Sequence, residues 1–97
     1  MGLNLQISVS IRKKLSEKHD VSEREIEQCF ENLTSGLLED DRVKHKTIPP
    51  TYWFIAYTNQ NRRLNIVYIQ SNDGLIHIKS AFEPNEIEVR IYEKFAN

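Results

Sequence analysis

The sequence predicts an α+β fold with two N-terminal helices, an antiparallel β-sheet meander and a C-terminal helix. Three patterns indicate this: helical apolar spacing over residues 22–33, three runs of strand-forming residues between 52 and 82, and a second helical spacing after Pro84. A chain of 97 residues has room for one modest core, so residues 1–97 are predicted to form a single domain.

The N-terminal segment alternates apolar and polar residues, which predicts a short strand with one buried face. Its apolar members are Leu5, Ile7 and Val9. The spacing then becomes helical, so residues 10–19 are predicted to form an amphipathic helix. Lys18 and His19 lie in its last turn, where positive charge suits the end of a helix.

The second helix has a specific start signal. Ser22 and Glu25 form an S-x-x-E capping box, in which each side chain accepts a backbone N–H bond that the first turn leaves unpaired. The apolar stripe that follows at i, i+3, i+4 and i+7 consists of Ile26, Cys29, Phe30 and Leu33. Cys29 is the only cysteine, so an internal disulfide is excluded, and its place on the stripe favours a small buried side chain over a reactive thiol.

A polar loop is predicted at residues 39–51, and strands are predicted at 52–58, 64–70 and 75–82. The Asp73-Gly74 pair between the last two strands is typical of a hairpin turn, so the simplest topology is an antiparallel meander.

The third strand offers a candidate site. Ile76 and Ile78 share one face, whereas His77 and Lys79 share the opposite face, where the core does not need them.

The closing segment is predicted to be a helix over residues 85–95. Pro84 suits a first helical position, and the i, i+4, i+8 series outweighs a competing strand-like alternation. On this helix Glu88 and Tyr92 face the same way, and Arg90 projects from a different side.

Composition excludes several classes of function. The formal net charge of −1 argues against a general nucleic-acid binder, although short basic clusters leave both a local patch and a solvated face open. The three glycines are too far apart for a phosphate-binding loop, and the three histidines lack the spacing of a metal site, so no cofactor is predicted. The sequence has no membrane-spanning run and no conventional signal peptide, which predicts a cytoplasmic protein.

The remaining Lys, Arg, His, Tyr and Glu side chains suit metal-free cleavage of RNA. That reaction needs a base for the 2′-hydroxyl, cations for the charge growing on the phosphate, and an acid for the departing 5′-oxygen. Most domains of this size contain these residue types, so the inventory alone does not establish the activity.

Order and spacing add a resemblance to one family. The run Lys18-His19-Asp20-Val21-Ser22 resembles the K-H-G-V-S opening of the BrnT toxins, small bacterial proteins with a RelE-like ribonuclease fold. Other similarities cover most of the chain: an Asp41-Arg42 pair before the sheet, a strand opened by Arg63-Leu64, a strand ending in Ser80-Ala81, and Glu88 and Tyr92 at the family's spacing.

Three positions depart from that family's pattern. Asp20 replaces a glycine, Phe82 replaces an Arg, and Val89 replaces another Arg, with Arg90 one place later. The chain therefore resembles a divergent member in which two cationic positions are altered or moved.

The resemblance implies a metal-independent endoribonuclease toxin that inhibits translation by cleaving RNA and is restrained by a cognate antitoxin. Arg63 and Arg90 would stabilise the phosphate, and Glu88 and Tyr92 would form the closing-helix part of the site. The full candidate set, including the strand residues chosen by geometry alone, is Lys18, His19, Arg63, His77, Lys79, Glu88, Arg90 and Tyr92.

Structural roles compete with these assignments. Tyr92 can pack its ring on the sheet, Glu88 can pair with a neighbour, and Lys18 with His19 can simply end the first helix. A second hypothesis is therefore a catalytically inactive, toxin-like module that binds a protein partner, favoured by Phe82 and Val89. A third, an ADP-ribosyl hydrolase, is disfavoured because that chemistry usually needs a metal-binding set of carboxylates.

Overall fold

The computed structural model describes residues 4–40 and 49–96. Its order is β1 (Leu5–Gln6), α1 (Val9–Lys14) continued by a π-helical segment (Leu15–His19), α2 (Glu23–Glu31), β2 (Leu38–Glu39), β3 (Thr51–Tyr57), β4 (Arg63–Gln70), β5 (Ile76–Phe82) and α3 (Glu86–Phe95). The predicted α+β class and the three predicted main strands are confirmed, whereas the Asp41-Arg42 pair lies outside the described residues.

The first helix begins one residue earlier than predicted and changes its pitch. Ser8 caps it by accepting the backbone N–H of Ile11 at 3.2 Å, so Val9 belongs to the helix instead of the strand. The π-helical segment ends at Asp20, whose φ of +51° is left-handed, and the N–H of Val21 bonds back to the carbonyl of Leu15 at 3.0 Å. This turn brings the buried side chains of Leu15 and Val21 into the core.

The second helix confirms its capping box. The side chain of Ser22 accepts from the N–H of Glu25 at 3.1 Å, and the carboxylate of Glu25 accepts from the N–H of Ser22 at 3.0 Å. The side chains of Ile26 and Cys29 are fully buried, as the apolar stripe predicts.

The sheet is mixed, with the strand order β1-β5-β4-β3-β2. Strands β3, β4 and β5 form the predicted antiparallel meander, but β1 pairs with β5 in parallel, so the expectation of a purely antiparallel sheet is wrong at one edge. This pairing joins segments about 70 residues apart along the chain, and no local turn signal predicts such a contact.

A β-bulge interrupts the pairing of β4 with β5. Val67 pairs with Ser80 and Tyr68 pairs with Ile78, so Lys79 is the additional residue on β5. Ile76 and Ile78 are buried as predicted, but the bulge ends the simple alternation that placed Lys79 beside His77. The turn before β5 follows its sequence signal, because Gly74 has a φ of +87°.

The two faces of the sheet are covered by different helices. On one face Phe30 of α2 packs edge-on against Phe54 and Tyr68, with ring centroids 4.9 and 5.4 Å away. On the opposite face Tyr92 of α3 packs against Trp53 at 5.8 Å. The closing helix therefore covers part of the second face.

The closing helix is confirmed, but Asn85 caps it and Pro84 precedes the cap. Two hydrogen bonds with Gly36 fix its C-terminal end: the Tyr92 hydroxyl donates to the carbonyl of Gly36 at 2.7 Å, and the N–H of Gly36 donates to the carbonyl of Ala96 at 2.7 Å. No helix in the described ranges is long and apolar enough to cross a membrane.

Candidate functional site

The closing helix positions Glu88 through its own cap. The N–H of Asn85 donates to Oε1 of Glu88 at 2.9 Å, and the N–H of Glu88 donates to Oδ1 of Asn85 at 2.8 Å. Glu88 is half-buried and also lines a cavity between α3 and the sheet. One carboxylate oxygen thus serves the helix terminus while the side chain borders this cavity.

Tyr92 is held as a structural residue. Its ring is buried on Trp53, its hydroxyl donates to the carbonyl of Gly36, and burial raises the pKa of the phenol. A hydroxyl with these contacts is poorly placed to exchange a proton with a substrate at neutral pH.

Arg90 projects into solvent from α3. It pairs with Glu86, four residues earlier, with nitrogen and oxygen 4.0 Å apart. It does not line the cavity that Glu88 borders. Arg90 therefore lies apart from Glu88 and Tyr92, on the different side of the helix that the spacing predicts.

Arg63 begins β4, opposite Tyr57 on β3, and is half-buried. Its neighbour Arg62 has the more extensive set of contacts, which sequence reasoning missed. Arg62 donates to the carbonyls of His19 and Asp20 at 2.9 and 2.7 Å.

Arg62 also donates to two carboxylates, those of Glu25 at 3.0 Å and Glu83 at 2.8 Å, and these contacts raise its pKa, with Glu83 contributing most. It therefore ties the end of the first helix, the start of α2 and the segment after β5 to β4. Because Arg62 and Arg63 are adjacent, the sequence does not indicate which guanidinium forms these hydrogen bonds.

His19 lies half-buried at the end of the first helix, with its ring centroid 5.8 Å from that of Phe82. Burial lowers the pKa of the imidazole, and Lys14 and Lys18 lower it further, so the ring favours the neutral form. Lys18 itself is exposed. His19, the two lysines and the Phe82 ring thus form a basic and aromatic cluster at the end of the first helix.

His77 lies apart from that cluster, and Lys79 is exposed. His77 is half-buried, with Nε2 3.2 Å from the hydroxyl of Ser71, and its strand neighbour is Gln6 of β1. His77 and Phe82 are five residues apart on β5, a separation of about 16 Å along a strand. The histidines therefore belong to different regions of the surface.

The cavity between α3 and the sheet, here called the α3 cavity, has a volume of about 700 Å³. Its lining residues come from the edge strand, the central strands and α3: Leu38, Glu39, Asp40, Trp53, Asn65, Val67, Glu88, Ile91 and Phe95. Five of these are apolar or aromatic and three carry carboxylates, and none of the described lining residues is Lys, Arg or His. The described part of the lining is thus apolar and acidic.

Asn65 is the most unusual group in the α3 cavity. Asn65 is only 3% exposed, and its side-chain oxygen Oδ1 has no hydrogen-bond partner in the described part of the chain. Buried side-chain acceptors are paired in the large majority of cases. Sequence reasoning missed this residue, because an Asn inside a strand gives no signal about what surrounds it.

Within residues 4–40 and 49–96, no group of three or more His, Cys, Asp and Glu side chains is arranged to hold a metal ion. Comparison with known proteins gives no further guide, since no family model, no curated protein and no solved structure matches the chain.

Proposed function

We propose that this chain is a protein-binding module whose partner covers the outer face of α3 and the mouth of the α3 cavity. One observation carries the proposal: an apolar stripe on α3 is exposed. Ile87, Ile91 and Phe95 are 67%, 41% and 62% exposed and follow one another at i, i+4 and i+8 on one side of the helix.

A terminal helix ordinarily turns its apolar stripe toward the core. Here Tyr92 and Ala96 are buried on the sheet side, and Ile91 and Phe95 of the outer stripe continue into the α3 cavity. Contiguous exposed apolar surface of this kind is typical of protein interaction sites. A partner helix or strand that covered the stripe would also close the cavity.

The contacts of the closing helix favour binding over catalysis. The Tyr92 hydroxyl is bonded to Gly36, Glu88 caps α3, and Arg90 projects away from both. The resemblance to the BrnT toxins implies a partner class, a cognate antitoxin encoded next to this chain. On this proposal the toxin-like scaffold is retained and its closing helix serves recognition.

The test is copurification with the product of the adjacent gene, followed by calorimetric titration. Ile91→Asp is expected to weaken binding at least tenfold, because it places a charge in an apolar contact. Val9→Ser is the matched control, since Val9 is an exposed apolar residue on another helix, at 85%. Unchanged affinity in Ile91→Asp, with an unchanged circular dichroism spectrum, would contradict the proposal.

A second candidate function is the endoribonuclease toxin, favoured by the environment of His19. A neutral imidazole can accept the proton of a 2′-hydroxyl, neighbouring Lys18 can stabilise phosphate charge, and the Phe82 ring can stack on a base. Expression in a bacterial host would then arrest growth and degrade RNA. The purified protein would cleave RNA also in the presence of a metal chelator.

His19→Gln is expected to relieve that arrest, and His77→Gln, which changes the separate histidine on β5, is expected to leave it intact. Normal growth with intact RNA on expression of the wild-type chain would eliminate this second function and leave the binding module.

A further inference from the structure

We propose that strand β3 and helix α3 compete for the backbone of Gly36, so that release of α3 from the sheet lets β2 extend along β3 by two residues. The inference concerns the free chain and does not depend on the proposed partner. It is carried by the register of β2 on β3 and by the hydrogen bonds that Gly36 forms in the structure.

The register of β2 identifies the residue that a longer strand would bring opposite Gly36. Leu38 pairs with Trp53 in antiparallel orientation. Two residues further along, the same register places Gly36 opposite Ile55. Gly36 nevertheless lies outside β2, which consists of only two residues.

The alternation of the ladder indicates that this pair would be hydrogen-bonded. The N–H of Asp40 donates to the carbonyl of Thr51 at 2.8 Å, and bonded pairs recur at every second residue of an antiparallel ladder. In a continued ladder the N–H of Gly36 would therefore donate to the carbonyl of Ile55. The N–H of Ile55 would donate to the carbonyl of Gly36 in return.

Helix α3 occupies both backbone groups of Gly36 instead. The N–H of Gly36 donates to the carbonyl of Ala96 at 2.7 Å, and the carbonyl of Gly36 accepts from the hydroxyl of Tyr92 at 2.7 Å. Burial raises the pKa of Tyr92, and a bond from the N–H of Ile55 to the same hydroxyl opposes that rise. The hydroxyl thus bridges the two groups that would otherwise bond to each other.

The absence of a side chain at Gly36 serves the contact with α3. A Cβ at this position would lie 2.8 Å from the carbonyl oxygen of Ala96, and the three atoms nearest to it all belong to Ala96. The φ of Gly36 is not left-handed, so the backbone conformation itself does not require glycine. A side chain here therefore penalises the arrangement with α3 on the sheet.

The longer strand would also bury apolar surface. Leu37 is 45% exposed, and the continued register places it opposite Phe54, which is fully buried. Burial of Leu37 would offset part of the loss of the Tyr92 contacts. Release of α3 would uncover Trp53, on which the Tyr92 ring packs, so the released arrangement is the less populated one.

Tyr92→Phe removes the bridging hydroxyl and keeps the aromatic ring. The measurement is amide hydrogen exchange of the 97-residue chain, resolved by NMR. The N–H of Ala96 is expected to exchange about fivefold faster, because α3 leaves the sheet more often. The N–H of Ile55 is expected to stay protected, since the carbonyl of Gly36 replaces the hydroxyl as its acceptor.

A second measurement detects the longer strand directly. Leu37 and Phe54 would form a non-bonded pair of the ladder, in which the two Cα atoms approach to about 4.5 Å. A nuclear Overhauser contact between their α-protons is therefore expected in Tyr92→Phe. Gly36→Ala is expected to produce the same contact, because it disfavours α3 from the other side. Tyr57→Phe is the matched control, since Tyr57 is a 45% exposed tyrosine of β3, and it is expected to behave as wild type.

Three results would overturn the competition. If the N–H of Ile55 exchanges as fast as that of Ala96 in Tyr92→Phe, release of α3 leaves the edge of β3 unpaired. Absence of the contact between Leu37 and Phe54 in both variants would show that β2 does not extend. Failure of both variants to fold would show that the chain has no stable arrangement without the α3 contacts.

Discussion

Replacement of Arg62 by Met tests how the sheet, the first helix and α2 are held together. The guanidinium donates to the carbonyls of His19 and Asp20 and to the carboxylate of Glu25, and the Arg62 and Glu25 side chains are only 25% and 21% exposed. The bond to Glu83 raises the Arg62 pKa but contributes little to the free energy of unfolding, because that carboxylate is largely exposed to solvent.

The loss can be worked out from these contacts. Hydrogen bonds to charged groups contribute about 1.5–3 kcal/mol when buried, and partial exposure reduces each of the three inner contacts to about 1 kcal/mol. Arg62→Met is therefore expected to lower the free energy of unfolding by about 3 kcal/mol, a large part of the stability of a small domain. Arg62→Lys keeps the positive charge but loses the planar set of guanidinium N–H donors. It is expected to lower the free energy of unfolding by about half as much.

The assay is urea unfolding followed by Trp53 fluorescence and circular dichroism. With a slope of about 1.5 kcal/mol per M, the midpoint is expected to fall by about 2 M. The control is Arg24→Met, because Arg24 pairs with Glu27 and Glu31 on the exposed side of α2 and is expected to cost less than about 0.5 kcal/mol. A loss below about 1 kcal/mol in Arg62→Met would refute the reasoning.

Gly36→Ala is expected to lower the free energy of unfolding by about 2 kcal/mol in the same assay, because its Cβ would lie 2.8 Å from the carbonyl oxygen of Ala96; wild-type stability would show that α3 can move aside. Cys29 is expected not to react with a thiol reagent at pH 8 until urea unfolds the chain, since burial raises its pKa to about 12; fast reaction of the native protein would contradict its burial. Burial opposes ionisation of Glu25, but bonds from the Ser22 N–H and Arg62 outweigh it and lower its pKa, so its contribution is complete above about pH 4.5 and is lost as pH falls through the folded value. Glu25→Gln should therefore flatten the fall of stability below pH 4.5, and an unchanged slope would refute that assignment.

Local signals predicted the helices and the three central strands, but they missed the edge strand β2, because Glu39 was placed in the loop. The Ser22 capping box and the Asp73-Gly74 turn depend on backbone groups within a few residues, so short sequence windows contain all the necessary information. Cys29 is likewise buried because its position on the helical stripe faces the sheet.

The candidate site was much less predictable. The family resemblance implied Glu88, Arg90 and Tyr92, but the positions of residues along one helix do not reveal which backbone groups approach them. Arg62 and Asn65 were missed for the same reason, since their roles depend on groups brought near by the pairing of distant strands.

The sequence by itself determined the helices, the central meander and the alternation that makes two-sided strands. Only the tertiary structure decided which stripe of α3 faces the sheet: the series of Ile87, Ile91 and Phe95 is as regular as any buried stripe, yet it is exposed. The physical reason is that Tyr92 stacks on Trp53 and reaches the carbonyl of Gly36, contacts that exist only once the strands and α3 have assembled.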